Sequence, residues 1–195
     1  MKLKIPILFG LLAVLGLATY GSVFLVDKAQ RVGINQGYSP VQPIAFNHRL
    51  HAGERQIPCL YCHFGAEKSR HAGIPPLNVC MNCHTQLKVA TPEVQKLKEA
   101  VLQQRPVQWV KIHNLPDFVY FNHSQHVLHP IACQKCHGPI ETMDRVSQVS
   151  PLTMGWCINC HRDNGVTPPS QHGMAVVKAG THAAIGGTDC SKCHY

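Results

Sequence analysis

The chain has 195 residues, of which 10 are cysteines and 14 are histidines, and its formal net charge is +8. This length gives room for one or two small domains, which excludes a large multidomain enzyme. Apolar residues make up 45% of the chain, but many of them lie in one N-terminal run, so few long apolar segments are left for a conventional core.

The first predicted element is a membrane anchor helix within residues 1–30. No charged residue occurs from Ile5 to Val26, and at about 1.5 Å per residue this run spans roughly 33 Å, the thickness of a bilayer's hydrocarbon core. Lys2 and Lys4 precede the run, as they would in a cleavable signal peptide or a retained anchor. The run is longer than a signal's apolar stretch and offers no clean cleavage site, which favours the retained anchor.

Residues 31–45 are predicted to form an irregular tether. Gly37, Pro40 and Pro43 punctuate this segment, and such residues mark turns and loops more often than regular structure.

Five Cys-x-x-Cys-His motifs follow the tether, and together they use every cysteine in the chain. In this spacing two thiols can bond to the vinyl groups of one porphyrin, while the adjacent imidazole coordinates its iron. The motifs therefore predict five covalently bound haem c groups, with no cysteine left for a disulfide or an iron-sulfur cluster. The predicted haem-binding and iron-binding residues are Cys59, Cys62 and His63; Cys80, Cys83 and His84; Cys133, Cys136 and His137; Cys157, Cys160 and His161; and Cys190, Cys193 and His194.

Zinc and thiol redox chemistry are the competing interpretations of these motifs. Pairs of Cys-x-x-Cys motifs can build four-thiolate zinc sites, but an odd number of motifs leaves one pair over, and zinc does not require a histidine after every pair. A thioredoxin-like centre is expected in a βαβ context, which no motif has.

An internal repeat opens two modules of the chain. Phe46-Asn-His48-Arg-Leu-His51 recurs 75 residues later as Phe121-Asn-His123-Ser-Gln-His126. A haem motif follows the first histidine after 11 residues in one copy and after 10 in the other. We therefore predict a two-haem module at residues 46–90 and a three-haem module at residues 113–195.

Residues 91–112 are predicted to hold a linking helix and a connection. Thr91 is a suitable N-cap and Pro92 a suitable first residue, and the apolar positions from Val94 to Leu102 share one face before Pro106 ends the pattern. No alternating strand pattern persists elsewhere. The predicted fold is mostly irregular with short helices, and the haems fill most of its interior, so we expect no stable fold without them.

Nine histidines lie outside the haem motifs, and five distal iron positions need ligands. Histidines at i and i+3 of a helical turn can point at two different haems, so the two His-x-x-His pairs are candidate axial ligands. The nine histidines are His48, His51, His71, His113, His123, His126, His129, His172 and His182.

The Phe-Asn-His-x-x-His segments followed by haem motifs resemble the opening of the small multihaem cytochromes of the c3 and c7 type. The resemblance implies that the first histidine of each pair ligates the haem of the next motif and that the second ligates a later haem. It assigns His48 to the haem at Cys59, His51 to a second haem, His123 to the haem at Cys133 and His126 to the haem at Cys157.

The fifth distal ligand stays open. In the c7 pattern a histidine shortly before the middle motif ligates the last haem, whereas this sequence has Met154 near the equivalent place. Methionine is a competent axial ligand that raises the haem potential. His113 is our first candidate, followed by Met154 and His182, with His172 and His71 also possible.

The anchor, the division of the motifs into two and three, and the stretch Leu-Pro-Asp-Phe-Val-Tyr-Phe-Asn-His at residues 115–123 resemble the pentahaem cytochrome c subunit of bacterial alternative complex III. The resemblance implies a quinol-oxidising complex of a respiratory or photosynthetic chain, with an iron-sulfur protein, polytopic quinone-site subunits and a monohaem cytochrome c as partners. The chain would then be an electron relay and not the site of quinol chemistry. Haem c is attached outside the bacterial cytoplasmic membrane, so we expect a single-pass protein with a periplasmic haem domain.

Two other functions compete with the relay. A multihaem oxyanion reductase needs a haem with an open distal face, whereas nine spare histidines are available for five sites. A stand-alone anchored quinol dehydrogenase would usually carry its first motif soon after the helix, but about thirty residues intervene here, a length that suits a tether. Nucleic-acid binding is not predicted, because about ten haem propionates would offset the positive charge.

Overall fold

The structure is a computed structural model, and it describes residues 5–129, 131–163 and 187–195. Within these residues it contains helices, helical turns and irregular segments, and no strand. This agrees with the mostly irregular fold with short helices predicted above. The chain divides into two compact units, Met1–Ile34 and Asn35–Tyr195.

The first unit contains helix α1, which runs from Ile5 to Gln30. By length and composition its segment Pro6–Gln30 can cross a membrane. The hydroxyls inside the apolar run bond to the helix itself, since Thr19 donates to the carbonyl of Leu15 at 3.0 Å and Ser22 donates to an equivalent carbonyl one turn back. These polar groups are therefore satisfied without water, as a hydrocarbon environment requires.

The second unit is built from short helices and turns, and each haem motif lies on or next to one of them. Helical winding brings residues i and i+3 to one face, so the two thiols of each motif lie on the same side. The helices are α2 (Cys59–Cys62), α3 (Leu77–His84), α4 (Pro92–Leu102), α5 (His123–Val127), α6 (Gln134–His137) and α7 (Met154–Asp163). A π-helical turn covers Arg49–Glu54, and 3-10 turns cover Phe64–Glu67, Ile140–Thr142 and Cys190–Lys192.

Helix α4 forms where the local signals predict it, from Pro92 to Leu102. Its buried face consists of Val94 and Leu97. Thr91 precedes the helix but does not cap it through its side chain, because its hydroxyl donates to the carbonyl of Lys88 at 2.9 Å. The spacing of the apolar residues therefore positions this helix more than the predicted cap does.

The core of the second unit is small. Among the described residues, the buried apolar side chains are Ala66, Val94 and Leu97, and Gln148 is the one large side chain that is fully buried. A unit of this size normally buries much more apolar surface. The interior is therefore incomplete without a further apolar group.

Residues 36–45, part of the predicted tether, are irregular and are hydrogen-bonded to later segments of the same unit. The amide of Gly37 donates to the carbonyl of Gln148 at 2.7 Å, and the amide of Gln148 donates to the carbonyl of Tyr38 at 3.1 Å. Gln42 exchanges two bonds of 2.9 Å with the backbone of Val110. These bonds leave little of the predicted 31–45 tether unattached.

The two predicted modules pack together within one unit. The π turn Arg49–Glu54 contacts the 3-10 turn Ile140–Thr142, where a Cβ on Gly53 would collide with the carbonyl of Glu141. Arg49 also forms a 2.7 Å ion pair with Asp144. A second contact joins α5 to the turn Phe64–Glu67, so elements around the first and third motifs lie side by side.

Candidate haem-binding sites

The two copies of the sequence repeat, Phe46–His51 and Phe121–His126, have the same side-chain geometry. In each copy the phenylalanine meets the first histidine edge-on, with ring centroids 4.8 Å apart and interplanar angles of 84° and 85°. It lies over the second histidine at 4.3 Å and 27° in one copy and at 4.4 Å and 32° in the other. Both copies of the repeat therefore hold their two histidines in the same arrangement.

The second histidine of each copy is oriented by the backbone of its own turn. Nδ1 of His51 donates to the carbonyl of Asn47 at 2.7 Å, and Nδ1 of His126 donates to the carbonyl of Asn122 at 2.9 Å. A carbonyl can only accept, so the proton lies on Nδ1 and the lone pair of Nε2 is available to a metal.

Three histidines of the repeats face a motif histidine at nearly the same distance. When two imidazoles bind the same metal from opposite sides, each metal–nitrogen distance is about 2.0 Å and each nitrogen lies about 1.2 Å from its ring centre. The two ring centres are then about 6.4 Å apart. The observed pairs are His51 with His84 at 6.1 Å, His123 with His137 at 6.4 Å and His126 with His161 at 6.2 Å. These separations fit an iron between the two rings of each pair.

In the second copy the first histidine, His123, faces the next motif along the chain. By analogy we expect His48 to pair with His63, whose charge acts on it. Burial, and then the charges of His63 and His51, together lower the pKa of His48 to about 4. Nδ1 of His48 is buried without a hydrogen-bond partner. A neutral imidazole held in this way suits a metal ligand.

The motif histidines are also oriented through Nδ1. Four of the five donate to a backbone carbonyl, which leaves Nε2 for the iron and fixes the ring plane. The carbonyls belong to Gly73 for His63, Leu87 for His84, Gly187 for His161 and Phe118 for His194, at 2.8, 3.1, 3.3 and 2.8 Å. His137 instead has Nε2 of His113 at 3.2 Å from its Nδ1.

The candidates for the fifth distal ligand lie in different places. His113 makes its ring contact with His137, at 4.4 Å between centroids, and not with His194. Met154 begins α7 and is 63% exposed, and His71 is exposed on a loop. His172 and His182 lie outside the described residues.

None of the ten cysteines, all of which lie in the described residues, forms a disulfide, and the thiols of different motifs influence one another. Burial is the main cause of the raised thiol pKa values, and the charges of cysteines from a neighbouring motif are a second cause. Together they bring the pKa of Cys136 to about 11. Those neighbours are Cys80 and Cys83 for Cys62, Cys59 for Cys133, Cys160 and Cys157 for Cys136, and Cys193 for Cys157.

Numbered along the chain, the five motifs therefore neighbour one another in the order two, one, three, four, five. Backbone contacts agree with this order. Segment Phe64–Glu67, directly after the first motif, packs on α5, which carries histidines facing the third and fourth motifs. The carbonyl of Gly187, just before the fifth motif, accepts from His161 of the fourth.

Arg70 is a residue of the site that the sequence analysis did not identify. Its carbonyl accepts from Nδ1 of His123 at 2.8 Å. Its guanidinium lies 5.4 Å from the ring centre of Tyr120 and 5.8 Å from that of Tyr195, and the amide of Tyr120 donates to the carbonyl of Cys193 at 2.9 Å. Arg70 thus connects the first module to both the third and fifth motifs, and no local sequence pattern indicates this.

Among the described residues, no three or more of His, Cys, Asp and Glu come together as a metal site. Their histidines come together in pairs instead. Two axial donors per site fit an iron whose four equatorial ligands come from a porphyrin, whereas structural zinc needs four ligands from the protein.

Two comparisons with known proteins match the C-terminal half or about half of the chain. Residues 99–195 match the model of the class III cytochrome C family, and this range includes the third, fourth and fifth motifs. The multiheme cytochrome c subunit of menaquinone reductase from Nitratidesulfovibrio vulgaris is 33% identical over 97 residues, which are 49% of this chain and 45% of that protein. The chain thus matches less than half the length of this relative. Over these residues the chain is similar to class III cytochromes and to this multihaem cytochrome c subunit.

Proposed function

We propose that this multihaem cytochrome c of the class III type is the electron-relay subunit of a membrane-bound, quinone-linked complex, and that it binds five haems. The observation that carries the proposal is the set of three imidazole pairs with ring centres 6.1 to 6.4 Å apart. Haem c bound at such pairs supplies one-electron chemistry at an iron with no open coordination position. This arrangement favours a relay over a reductase.

The ten motif cysteines and five motif histidines would hold the haems, and His48, His51, His123 and His126 would be distal ligands. The chain's contribution is to fix the planes of these imidazoles, which it does through carbonyl acceptors and two phenylalanine rings. Fixed ligands keep the geometry of the site similar in both oxidation states, and a small reorganisation favours fast electron transfer.

The relay would run in the neighbour order of the motifs, with the second motif at one end and the fifth at the other. The first and third motifs, which meet where the two modules pack, would form its middle. A cryo-EM map of the haem-loaded chain gives the iron-iron distances directly. Nearest-neighbour irons in any other order would contradict this path.

The direction of electron flow has two candidates. The resemblance to alternative complex III favours quinol oxidation, with electrons delivered to a periplasmic acceptor and with iron-sulfur, polytopic and monohaem cytochrome subunits as partners. The name of the menaquinone reductase relative favours the opposite direction, from a periplasmic donor towards menaquinone. In both cases α1 would anchor the chain, and the haem unit would lie in the periplasm.

The test uses the purified full-length chain and, separately, the complex isolated from its native membrane. The chain alone should contain five haems by pyridine haemochrome assay, show low-spin ferric signals and lack quinol oxidation. The complex should transfer electrons between quinone and a soluble cytochrome, and the favoured direction decides between the two candidates. Quinol oxidation by the chain alone would contradict the relay and support a stand-alone quinol dehydrogenase.

A further inference from the structure

His137 differs from the other four motif histidines in what its Nδ1 contacts. Those four have a backbone carbonyl at 2.8 to 3.3 Å. For His137, the atom at 3.2 Å is the ring nitrogen Nε2 of His113. An imidazole nitrogen is a much stronger base than an amide oxygen, so the two kinds of acceptor polarise the donor ring differently.

The protonation of both rings follows from this contact. If His137 binds iron through Nε2, its own proton lies on Nδ1, and that Nδ1–H is the donor. Nε2 of His113 must then be the acceptor, and the proton of the neutral His113 ring lies on its Nδ1. With Nε2 engaged in this bond, His113 is not free to bind a second iron through the same atom.

The ring geometry excludes a shared metal between His113 and His137. Their centroids are 4.4 Å apart with an interplanar angle of 77°. Two rings on opposite sides of one iron need about 6.4 Å between their centres, which is the distance of His137 from His123. His137 therefore has a metal-ligand partner at His123 and a hydrogen-bond partner at His113.

The backbone that carries His113 is held by two glutamine side chains. Oε1 of the fully buried Gln148 accepts from the amide of Asn114 at 2.9 Å. Gln42 bonds to both the amide and the carbonyl of Val110. The segment is thus fixed on both sides of His113, which gives its ring a defined position.

We propose that His113 is a positioning residue for the third haem and not the distal ligand of the fifth. By accepting the Nδ1 proton of His137, it increases the electron donation of that ring to the iron and lowers the potential of this haem relative to a carbonyl-bonded equivalent. This inference rests on the proposed assignment of His137 as an iron ligand.

The first test observes the hydrogen bond in the unaltered chain. The full-length holoprotein, labelled with 15N and reduced to its diamagnetic low-spin state, should show a 15N–15N coupling across one N–H···N bond between two imidazoles. Nitrogen–carbonyl bonds give no such coupling, so the other motif histidines serve as internal controls. Absence of the coupling, in a sample whose other motif imidazole protons are visible, would overturn the proposal.

The second test uses the variants His113→Phe, which keeps an aromatic ring without an acceptor, and His113→Gln, whose amide oxygen restores one. In the phenylalanine variant all five haems should be present and low-spin, while one midpoint potential shifts to a more positive value. The glutamine variant should return that midpoint towards the wild-type value.

Two outcomes would overturn the proposal. A new high-spin haem in His113→Phe would make His113 an axial ligand, and unchanged midpoints would reduce it to a packing residue. If His113→Phe fails to mature, the glutamine variant and the coupling experiment decide. A wild-type chain with fewer than five haems would instead contradict the proposed function, so the two failures are distinguishable.

Discussion

At the scale of single residues, the backbone orients the histidines. His51 and His126 each donate from Nδ1 to a carbonyl four residues earlier, and each lies under a phenylalanine ring. Only Nε2 is left to bind, and the ring centres of His51 and His126 lie 6.1 and 6.2 Å from those of motif histidines. The distal ligand of a given haem can therefore be removed without disturbing the covalent attachment of that haem.

Replacing His51 by leucine tests this separation of attachment from ligation. The haem at Cys80 and Cys83 should stay bound, because its thiols are intact, but it should lose its sixth ligand. About one fifth of the iron should become high-spin and one potential should rise. EPR and a haem count per chain measure both effects.

The matched control is Leu50→Ala, a change at the preceding exposed position of the same turn, which should leave the spin state unaltered. Five low-spin haems in His51→Leu would show that His51 is not an axial ligand.

The sequence predicts the motif histidines and the two His-x-x-His pairs because their spacing is local. It does not predict what Nδ1 of every ring contacts, since several of the acceptors lie far away in sequence. Arg70, for example, is 53 residues from the ring that it orients, and His113 is 24 residues from His137. A histidine that orients a ligand and a histidine that is a ligand have the same signature in a single sequence.

At the scale of elements, helix α4 was predictable because proline at its first turn and a spaced apolar face are short-range signals. The hydrogen bonds of segment 36–45 were not predictable, because its turn-rich composition suits both a free tether and a loop bonded to Gln148 and Val110. The two repeats also differ in winding. Residues Arg49–Glu54 form a π turn and His123–Val127 an α turn, yet both place their histidines alike.

The phenylalanine of each repeat should stabilise this arrangement. In Phe121→Ala both His123 and His126 lose a packed ring, and we expect a loss of about 1–3 kcal/mol in unfolding free energy. Guanidinium unfolding followed at the Soret band measures it. Phe118 offers the matched control, since it is 80% exposed and its replacement by alanine should change stability by no more than about 0.5 kcal/mol. Equal losses of unfolding free energy in Phe121→Ala and Phe118→Ala would mean that the Phe121 ring does not support His123 and His126.

At the scale of the whole molecule, the two units have different requirements. Helix α1 satisfies its own backbone and needs only an apolar environment. The unit Asn35–Tyr195 has few buried apolar side chains among its described residues, and the ring centres of its histidine pairs are spaced to fit an iron between them. Its stability must come from the groups that it binds, as in small metal-dependent domains.

A full-length variant with all ten cysteines changed to serine should therefore fail to form the second unit. It keeps every histidine, so only covalent haem attachment is lost. We expect the wild-type holoprotein to melt cooperatively, and we expect the variant to show no cooperative transition in near-UV circular dichroism and rapid proteolysis after residue 35. The far-UV helical signal that remains should come from α1, which a second variant lacking residues 5–30 removes. A sharp thermal transition in the ten-serine variant would show that polar bonds such as those of Gln148 suffice to hold the fold, because no haem iron would then be available to join the facing imidazoles.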